Sequence, residues 1–415
     1  MKYSFEQLIQ IEKEIGTPCF LVNEGLFIES LNNIKFAFLQ KYENLIVGYS
    51  FKTNYLPYLC KIAKQQGCYA EVVSFLEYQI AEKVGFPYDK IIFNGPVKRK
   101  NEFFYALSRG SLINIDSHYE IDYLEEYRKL YPQVPISLGI RVNVLLKDSV
   151  GNTSIYGGAK TGRFGFIPDE LSDVMNRLMN LNCSIISIHG HTSSRNRAVT
   201  NYSQISKYLL KVIKEFSLDI KYFDIGGGFY GAIPEGMLDI QTPSFEEYAS
   251  EVMSVLLEDN WFISKKPYLV IEPGMSVAAS SMSYLTKIYS IKKRDSKILA
   301  QVDGDMFHIR PSMHKLKLPF QICSKEGYSS HPIESTNLEV VGSTCMESDV
   351  LLWAEINTNF SNNDYIIVDN VGAYTFVENT NFIQFSPAVC AVKEEGILCL
   401  RRGNDFENFI DLYNW

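Results

Sequence analysis

The sequence has no run approaching the roughly 18 apolar residues that a membrane-spanning helix requires. Its first twenty residues, MKYSFEQLIQIEKEIGTPCF, are interrupted by acidic groups and hold no apolar core of signal-peptide length. A cytoplasmic protein without membrane contact is the expectation. Blocks of like charge are missing too, and a formal net charge of −8 offers no basic surface for nucleic acid or an anionic membrane. The eight cysteines (Cys19, Cys60, Cys68, Cys183, Cys323, Cys345, Cys390 and Cys399) show no CxxC or other zinc spacing. That scatter fits reduced thiols better than a disulfide framework or a metal site, so no metal is expected. Repeats of solenoid period and low-complexity segments are also absent. What remains is globular material: 415 residues, 46% hydrophobic, enough for two domains with sizeable cores. A small-molecule site is the function class left by these exclusions.

Between residues 46 and 272, apolar β-branched runs recur every 20 to 45 residues. They are IVGYSF (46–51), YAEVV (69–73), IIFN (91–94), LINID (112–116), ISLGIRV (136–142), SIISIHG (184–190), YFDIG (222–226) and YLVIE (268–272). Amphipathic stretches separate them; FLEYQIAEKVG (75–85) closes on a glycine, as a helix C-terminus should. Eight such β/α units match a closed (β/α)₈ barrel, with a doubly wound open sheet as the alternative that periodicity alone leaves open. After residue 280 the texture changes to short strand-like runs, among them SYLTKIYSI, KILAQV, LEVVGS, DYIIVDNV and AVCAVKEEGILCLRR. The expected division is a barrel over 24–280 and a β domain, sandwich or barrel, over 1–23 and 281–415.

In parallel barrels chemistry collects at the carboxyl ends of the strands. Lys52 follows the first run, Arg141 ends the fifth, His189 and His191 end the sixth, GGG (226–228) follows the seventh and Glu272 ends the eighth. Each alone has a bland reading: a solvated lysine, a hydrogen-bonded core histidine, a tight turn. Five on one rim point to a site. Glycines admit a phosphate to backbone N–H groups, a carboxylate pairs with a protonated ring nitrogen, an imidazole covers a ring face, and a lysine amine forms an imine. These are the requirements of pyridoxal 5'-phosphate, held by Lys52 as a Schiff base.

The chain resembles the fold-type III pyridoxal-phosphate decarboxylases, the family of diaminopimelate, ornithine and arginine decarboxylases, and its motif order is most like the diaminopimelate enzymes. YSFKTN resembles the lysine motif, making Lys52 the Schiff-base residue. HGHTSS is similar to the His-x-x-Ser motif, which implies His191 over the ring and Ser194 near the cofactor. FDIGGGF resembles the phosphate loop, with Gly227 and Gly228 as contacts. IEPGMS is similar to the Glu-Pro-Gly motif, with Glu272 at the pyridine nitrogen and Gly274, beside Met275, near the phosphate. In the β domain, VDGDMFHIRPSMH resembles a segment whose arginine, here Arg310, binds substrate. GSTCMESD resembles a loop whose cysteine, here Cys345, donates a proton in the active site of the neighbouring subunit. DNVGAYTF resembles the motif whose tyrosine, here Tyr374, touches phosphate and faces the substrate.

The resemblance therefore implies an alanine-racemase-like barrel with a β domain, a homodimer with shared sites, and removal of the α-carboxylate of an amino acid. Glu272 favours decarboxylation, since the related racemases pair the ring nitrogen with arginine. Three departures concern the substrate. Met275 stands where many members have arginine, Met346 where an acidic residue usually meets a distal amine, and His314 where diaminopimelate enzymes usually have tyrosine. An apolar thioether cannot satisfy an ammonium group, so a substrate with a modified distal group is the expectation. Diaminopimelate stays open, because Glu347 lies one position away. Alternatives are a racemase or epimerase on the same scaffold and a non-catalytic homologue that binds a protein. The polar, glycine-containing stretch 145–166 is a candidate lid. Arg141 has no assigned role beyond bracing the barrel.

Overall fold

The structure is a computed structural model that describes residues 3–155, 161–192, 196–309, 317–325, 336–357 and 359–414. The first strand, β1 (Cys19–Val22), lies outside the barrel. Eight strands then close into a parallel barrel: β2 (Leu45–Ser50), β3 (Tyr69–Val72), β4 (Ile91–Phe93), β5 (Leu112–Ile115), β6 (Ile136–Arg141), β7 (Cys183–His189), β8 (Tyr222–Asp224) and β9 (Tyr268–Ile271). Each pairs in register with the next, and β2 closes the ring on β9 through Leu45–Leu269, Ile46–Val270 and Val47–Ile271. Every apolar run that the sequence offers as a barrel strand is one, to within two residues at either end. The open-sheet alternative is thereby excluded.

The local reasons are visible in the residues. Helix Phe75–Val84 begins on Ser74, whose hydroxyl accepts from Glu77 N, and stops at Gly85 with φ +85°, a conformation that costs glycine least. Side chains from five barrel strands, Ile46, Ile92, Leu112, Tyr222 and Val270, pack into one buried cluster. Burial of each aliphatic side chain contributes about 1.5–3 kcal/mol.

By its contacts the chain forms two compact units, one of residues 28–231 and 242–276, the other of 1–27, 232–241 and 277–415. Segment 232–241, which the sequence reading includes in the barrel, groups with the second unit. That unit is built on β10 (Met282–Arg294), β11 (Lys297–Val302), β12 (Phe320–Cys323), β13 (Thr336–Val341), β14 (Val350–Ile356), β15 (Tyr365–Val368), β16 (Ala388–Lys393) and β17 (Gly396–Arg401), together with β1. They form one nine-stranded sheet with the main order β14-β13-β11-β10-β1-β16-β17, with β15 pairing β10 and β12. Helix Phe5–Glu14, started by a capping box between Ser4 and Gln7, buries Leu8 and Ile11 against Cys19, Leu21, Leu285 and Ile367 of the sheet. Among the described residues no helix is long and apolar enough to cross a membrane.

A buried ion pair fixes part of the barrel's carboxyl-end rim. Lys98 and Glu120 are both fully buried, with Lys98 Nζ 2.8 Å from Glu120 Oε1. Lys98 Nζ also donates to Gly95 O at 2.8 Å and Asn114 O at 3.1 Å, while Glu120 Oε2 accepts from Asp116 N and Ser117 N. The pair thus ties the exits of β4 and β5 together. Lys98→Met leaves Glu120 buried without its cation and is expected to lower the unfolding free energy by about 3–5 kcal/mol. Lys98→Met combined with Glu120→Leu should recover most of that loss in a denaturant titration; a single variant as stable as the parent would contradict the assignment.

Candidate active site

Lys52 sits on a single 3₁₀ turn, Phe51–Thr53, directly after β2. Phe51 and Thr53 are buried, so the backbone of the turn is clamped while the lysine side chain, 35% exposed, projects into the barrel mouth. Two further contacts hold this turn against the loop after β9. Ser50 N donates to Pro273 O at 3.1 Å, and a Cβ on Gly274 would lie 2.1 Å from Thr53 Oγ1, so position 274 has room only for glycine.

The lysine amine meets a carboxylate. Lys52 Nζ is 2.9 Å from Oε2 of Glu71, an acidic residue in the otherwise apolar β3. The same oxygen accepts from Ser50 Oγ at 2.5 Å. Asn94, at the exit of β4, donates through Nδ2 to Glu71 Oε1 at 3.0 Å and to Glu272 Oε1 at 2.7 Å. Asn114 Nδ2 in turn donates to Asn94 Oδ1 at 2.9 Å, which orients the Asn94 amide. A continuous hydrogen-bonded chain therefore runs from Lys52 through Glu71 and Asn94 to Glu272.

At the ends of the neighbouring strands β7, β8 and β9, His189, Asp224 and Glu272 converge, one ligating atom of each lying within 4.8 Å of the others. Two buried carboxyls so close do not both ionise readily. Burial and the neighbouring Glu272 push Asp224 well above the usual carboxylate range, so it keeps its proton. Burial also pushes Glu272 upward, but His189, with Lys52 and His191 beyond it, outweighs that and holds Glu272 well below the usual range. One fixed negative charge results, on Glu272. His189 Nε2 is 3.4 Å from Glu272 Oε2, an electrostatic contact rather than an aligned hydrogen bond, and neither ring nitrogen of His189 has a hydrogen-bond partner among the described residues.

His191 stands beside the glycine loop. Its Nδ1 accepts from Gly227 N at 3.2 Å, which requires that nitrogen to be unprotonated. Desolvation, aided by Arg141 and Lys52, pushes the ring well below the usual histidine range, in keeping with the neutral form. Arg141 braces this segment: its guanidinium donates to His191 O at 3.1 Å, lies 3.4 Å from Asp116 Oδ2 and covers the Phe164 ring at 4.6 Å. In the loop itself, a Cβ on Gly227 would come within 2.0 Å of Glu272 O. The two glycine-bearing loops, after β8 and after β9, are packed backbone to backbone.

The sequence-expected residues Lys52, His191, Gly227, Gly228, Glu272, Gly274 and Met275 all belong to this rim. Ser194, Arg310 and His314 lie outside the described residues. The second unit carries Cys345 and Met346, both exposed, in a turn between β13 and β14 where Asp349 accepts from Thr344 N at 3.0 Å and Met306 N at 2.8 Å. Tyr374 adopts φ +58° in the loop after β15. Sequence reasoning missed Glu71, Asn94, Asn114 and Asp224. Their signal was available, since each is a polar residue set in an otherwise apolar strand run.

Residues 29–279 match the family model described as pyridoxal-dependent decarboxylase, pyridoxal binding domain. The chain is 27% identical over 417 residues to the diaminopimelate decarboxylase of Campylobacter jejuni, covering 97% of each protein. It is 25% identical over 418 residues to that of Aquifex aeolicus, covering 97% of this chain and 93% of the relative. Its fold is similar to the diaminopimelate decarboxylase of M. jannaschii, with TM-score 0.84, 22% identity and coverage of 98% and 94%. It is also similar to the Helicobacter pylori diaminopimelate decarboxylase complexed with L-lysine, with TM-score 0.82, 22% identity and 99% of both chains covered.

The lowered His191 has a measurable consequence. Its folded-state pKa lies below the unfolded value of about 6.5, so the unfolded chain takes up the proton first as pH falls. The stability this supplies is complete above pH about 6.5 and is lost below it. Replacing His191 with Asn should flatten the decline in unfolding free energy between pH 6.5 and 5. Because the ring is half-buried, the change should fall short of the limiting ~1.4 kcal/mol per pH unit. Denaturant titrations of both proteins at the two pH values check this; parallel declines would refute it.

Proposed function

Because the chain belongs to the pyridoxal-dependent decarboxylases, which use pyridoxal phosphate to release an amino acid's carboxylate as CO₂, we propose that Lys52 bears the cofactor and that the substrate is diaminopimelate. The observation that carries the assignment of residues is the hydrogen-bonded chain from Lys52 through Glu71 and Asn94 to Glu272. It joins an amine, able to hold an aldehyde carbon, to a fixed carboxylate suited to a protonated ring nitrogen.

The residues fit the cofactor. An amine, a neutral imidazole and a fixed carboxylate stand at one barrel mouth beside loops whose backbone is packed so closely that a Cβ at Gly226, Gly227 or Gly274 would collide with His191, Glu272 O or Thr53 Oγ1. Gly227, Gly228 and Gly274 are the backbone contacts, with Met275 beside them and Ser194 and Tyr374 as hydroxyl donors. His191 is neutral and covers the ring. When bound, pyridoxal phosphate supplies a sink for the electron pair that departing CO₂ leaves behind.

The chain's own groups do the rest. Glu272 stabilises positive charge on a ring nitrogen in a site of low polarity, where a fixed carboxylate acts strongly. Glu71 keeps Lys52 Nζ oriented and accepts its proton when the amine is needed unprotonated. The bond between the α-carbon and the carboxylate carbon breaks, its electron pair stays with the α-carbon, and a proton from Cys345 Sγ or Lys52 Nζ replaces CO₂. Cys345 acts on the neighbouring subunit's site, so the active species is a homodimer. Arg310, His314, Met346 and Tyr374 are the residues assigned to substrate binding. Eight cysteines without paired spacing suit a cytoplasmic setting.

Near full-length likeness to diaminopimelate decarboxylases supports the substrate. A second reading, a substrate whose far end carries no free ammonium, is favoured by Met346, an apolar residue 40% exposed in the Cys345 turn.

Borohydride treatment of the protein with pyridoxal phosphate is expected to fix a pyridoxyl group on Lys52, detected by peptide mass; a label absent from that residue removes the assignment. Lys52→Ala should lower CO₂ release by roughly 10²–10⁴-fold or more, since proton transfer at Nζ is lost along with the anchor. Rapid CO₂ release is expected from meso-diaminopimelate and not from lysine, ornithine or arginine. A labelled Lys52 with no release from any of the four would transfer the assignment to the second reading.

A further inference from the structure

A phosphate dianion seated in a half-buried cradle is held best by a guanidinium as well as by backbone N–H groups, because charge-assisted bonds are the stronger ones. The loop after β7 brings one to this place. Arg197 has φ +45°, a left-handed backbone that few residues other than glycine adopt and that surrounding contacts must hold. Tyr248 holds it: its hydroxyl donates to Arg197 O at 2.6 Å and accepts from Tyr230 N at 3.4 Å. The Arg197 guanidinium then lies over the Tyr230 ring, 5.2 Å from its centroid, with one nitrogen 3.7 Å from Met275 Sδ. Tyr230 is two residues beyond Gly228 and Met275 is one beyond Gly274. The cation therefore stands where the two glycine loops meet.

A second observation at the same junction points to a ligand. Ser276 is 4% exposed, and its hydroxyl has no hydrogen-bond partner among the described residues. The loops touch at this point, since a Cβ on Gly231 would lie 2.3 Å from Ser276 O. A buried hydroxyl without a partner is destabilising, and an incoming acceptor oxygen would relieve it.

We propose that Arg197 pairs with the cofactor's phosphate and that the Ser276 hydroxyl donates to the same group. This rests on the reading that the loops after β8 and β9 hold the phosphate. Cofactor-free protein is titrated with pyridoxal phosphate and, separately, with pyridoxal, which lacks the phosphate, following the absorbance of the bound aldehyde. In Arg197→Met the Kd for pyridoxal phosphate should rise roughly 10- to 100-fold, while that for pyridoxal changes less than about twofold. Ser276→Ala should show the same selectivity with a smaller rise, and Arg197→Lys an intermediate one. Unfolding midpoints are measured alongside, and Arg197→Gln carries the comparison if the methionine variant does not fold. Equal weakening of both ligands, or an unchanged Kd for pyridoxal phosphate, overturns the role of Arg197. If the wild-type protein itself binds the two ligands equally, the phosphate-cradle reading falls and takes the inference with it.

Discussion

The rim depends on one amide. Asn94 donates from a single nitrogen to Glu71 on β3 and to Glu272 directly after β9, two carboxylates on the strands that flank β2. Like charges buried in one cavity repel, and each needs its own compensation to stay there. Glu71 has Lys52 and Ser50, and Glu272 has His189. The amide sets the relation between these two groups, and Asn114 prevents it from flipping. Behind them the Lys98–Glu120 pair fixes the backbone from which Asn94 and Asn114 project. The distance from amine to carboxylate is thus determined by hydrogen bonds anchored in four strand exits, rather than by any one loop.

Charge is distributed with the same consistency. Among the acidic side chains at the mouth, Asp224 is pushed well above the usual carboxylate range by burial and keeps its proton, and its Oδ1 accepts from Gly226 N at 2.8 Å. The glycine loop is therefore held by a neutral acid, and the negative charge beside it is confined to Glu272. His191 is kept neutral by desolvation and by the cations Arg141 and Lys52. A neutral imidazole can lie against an aromatic ring without adding charge where only one carboxylate is balanced.

Much of this architecture was legible in the residues. The eight barrel strands are short, almost wholly apolar runs, because a parallel strand covered on both faces has little use for polar residues. That same rule makes Glu71, Asn94, Asn114 and Asp224 conspicuous in hindsight. Glu71 and Asn114 sit within their strands, Asp224 at the last position of β8 and Asn94 one residue past β4, so single polar residues in or beside apolar runs carried the signal. In the second unit β14, VLLWAEI, was passed over: its alternation of buried Leu352 with exposed Trp353 and half-buried Ala354 is weak. β12 is only four residues long, too brief for periodicity to register. Arg197 carried no sequence signal at all, because its location depends on a left-handed turn and a tyrosine fifty-one residues downstream.

The turn bearing Lys52 has its two neighbours locked in the core and is pressed against glycine at 274. Its α-carbon is consequently a stationary pivot, and every excursion of the amine is an arc described by four methylene groups. The amine nitrogen can trade partners within that arc without any backbone rearrangement. Movement of this amine is therefore a matter of side-chain bond rotation, with no hinge to open.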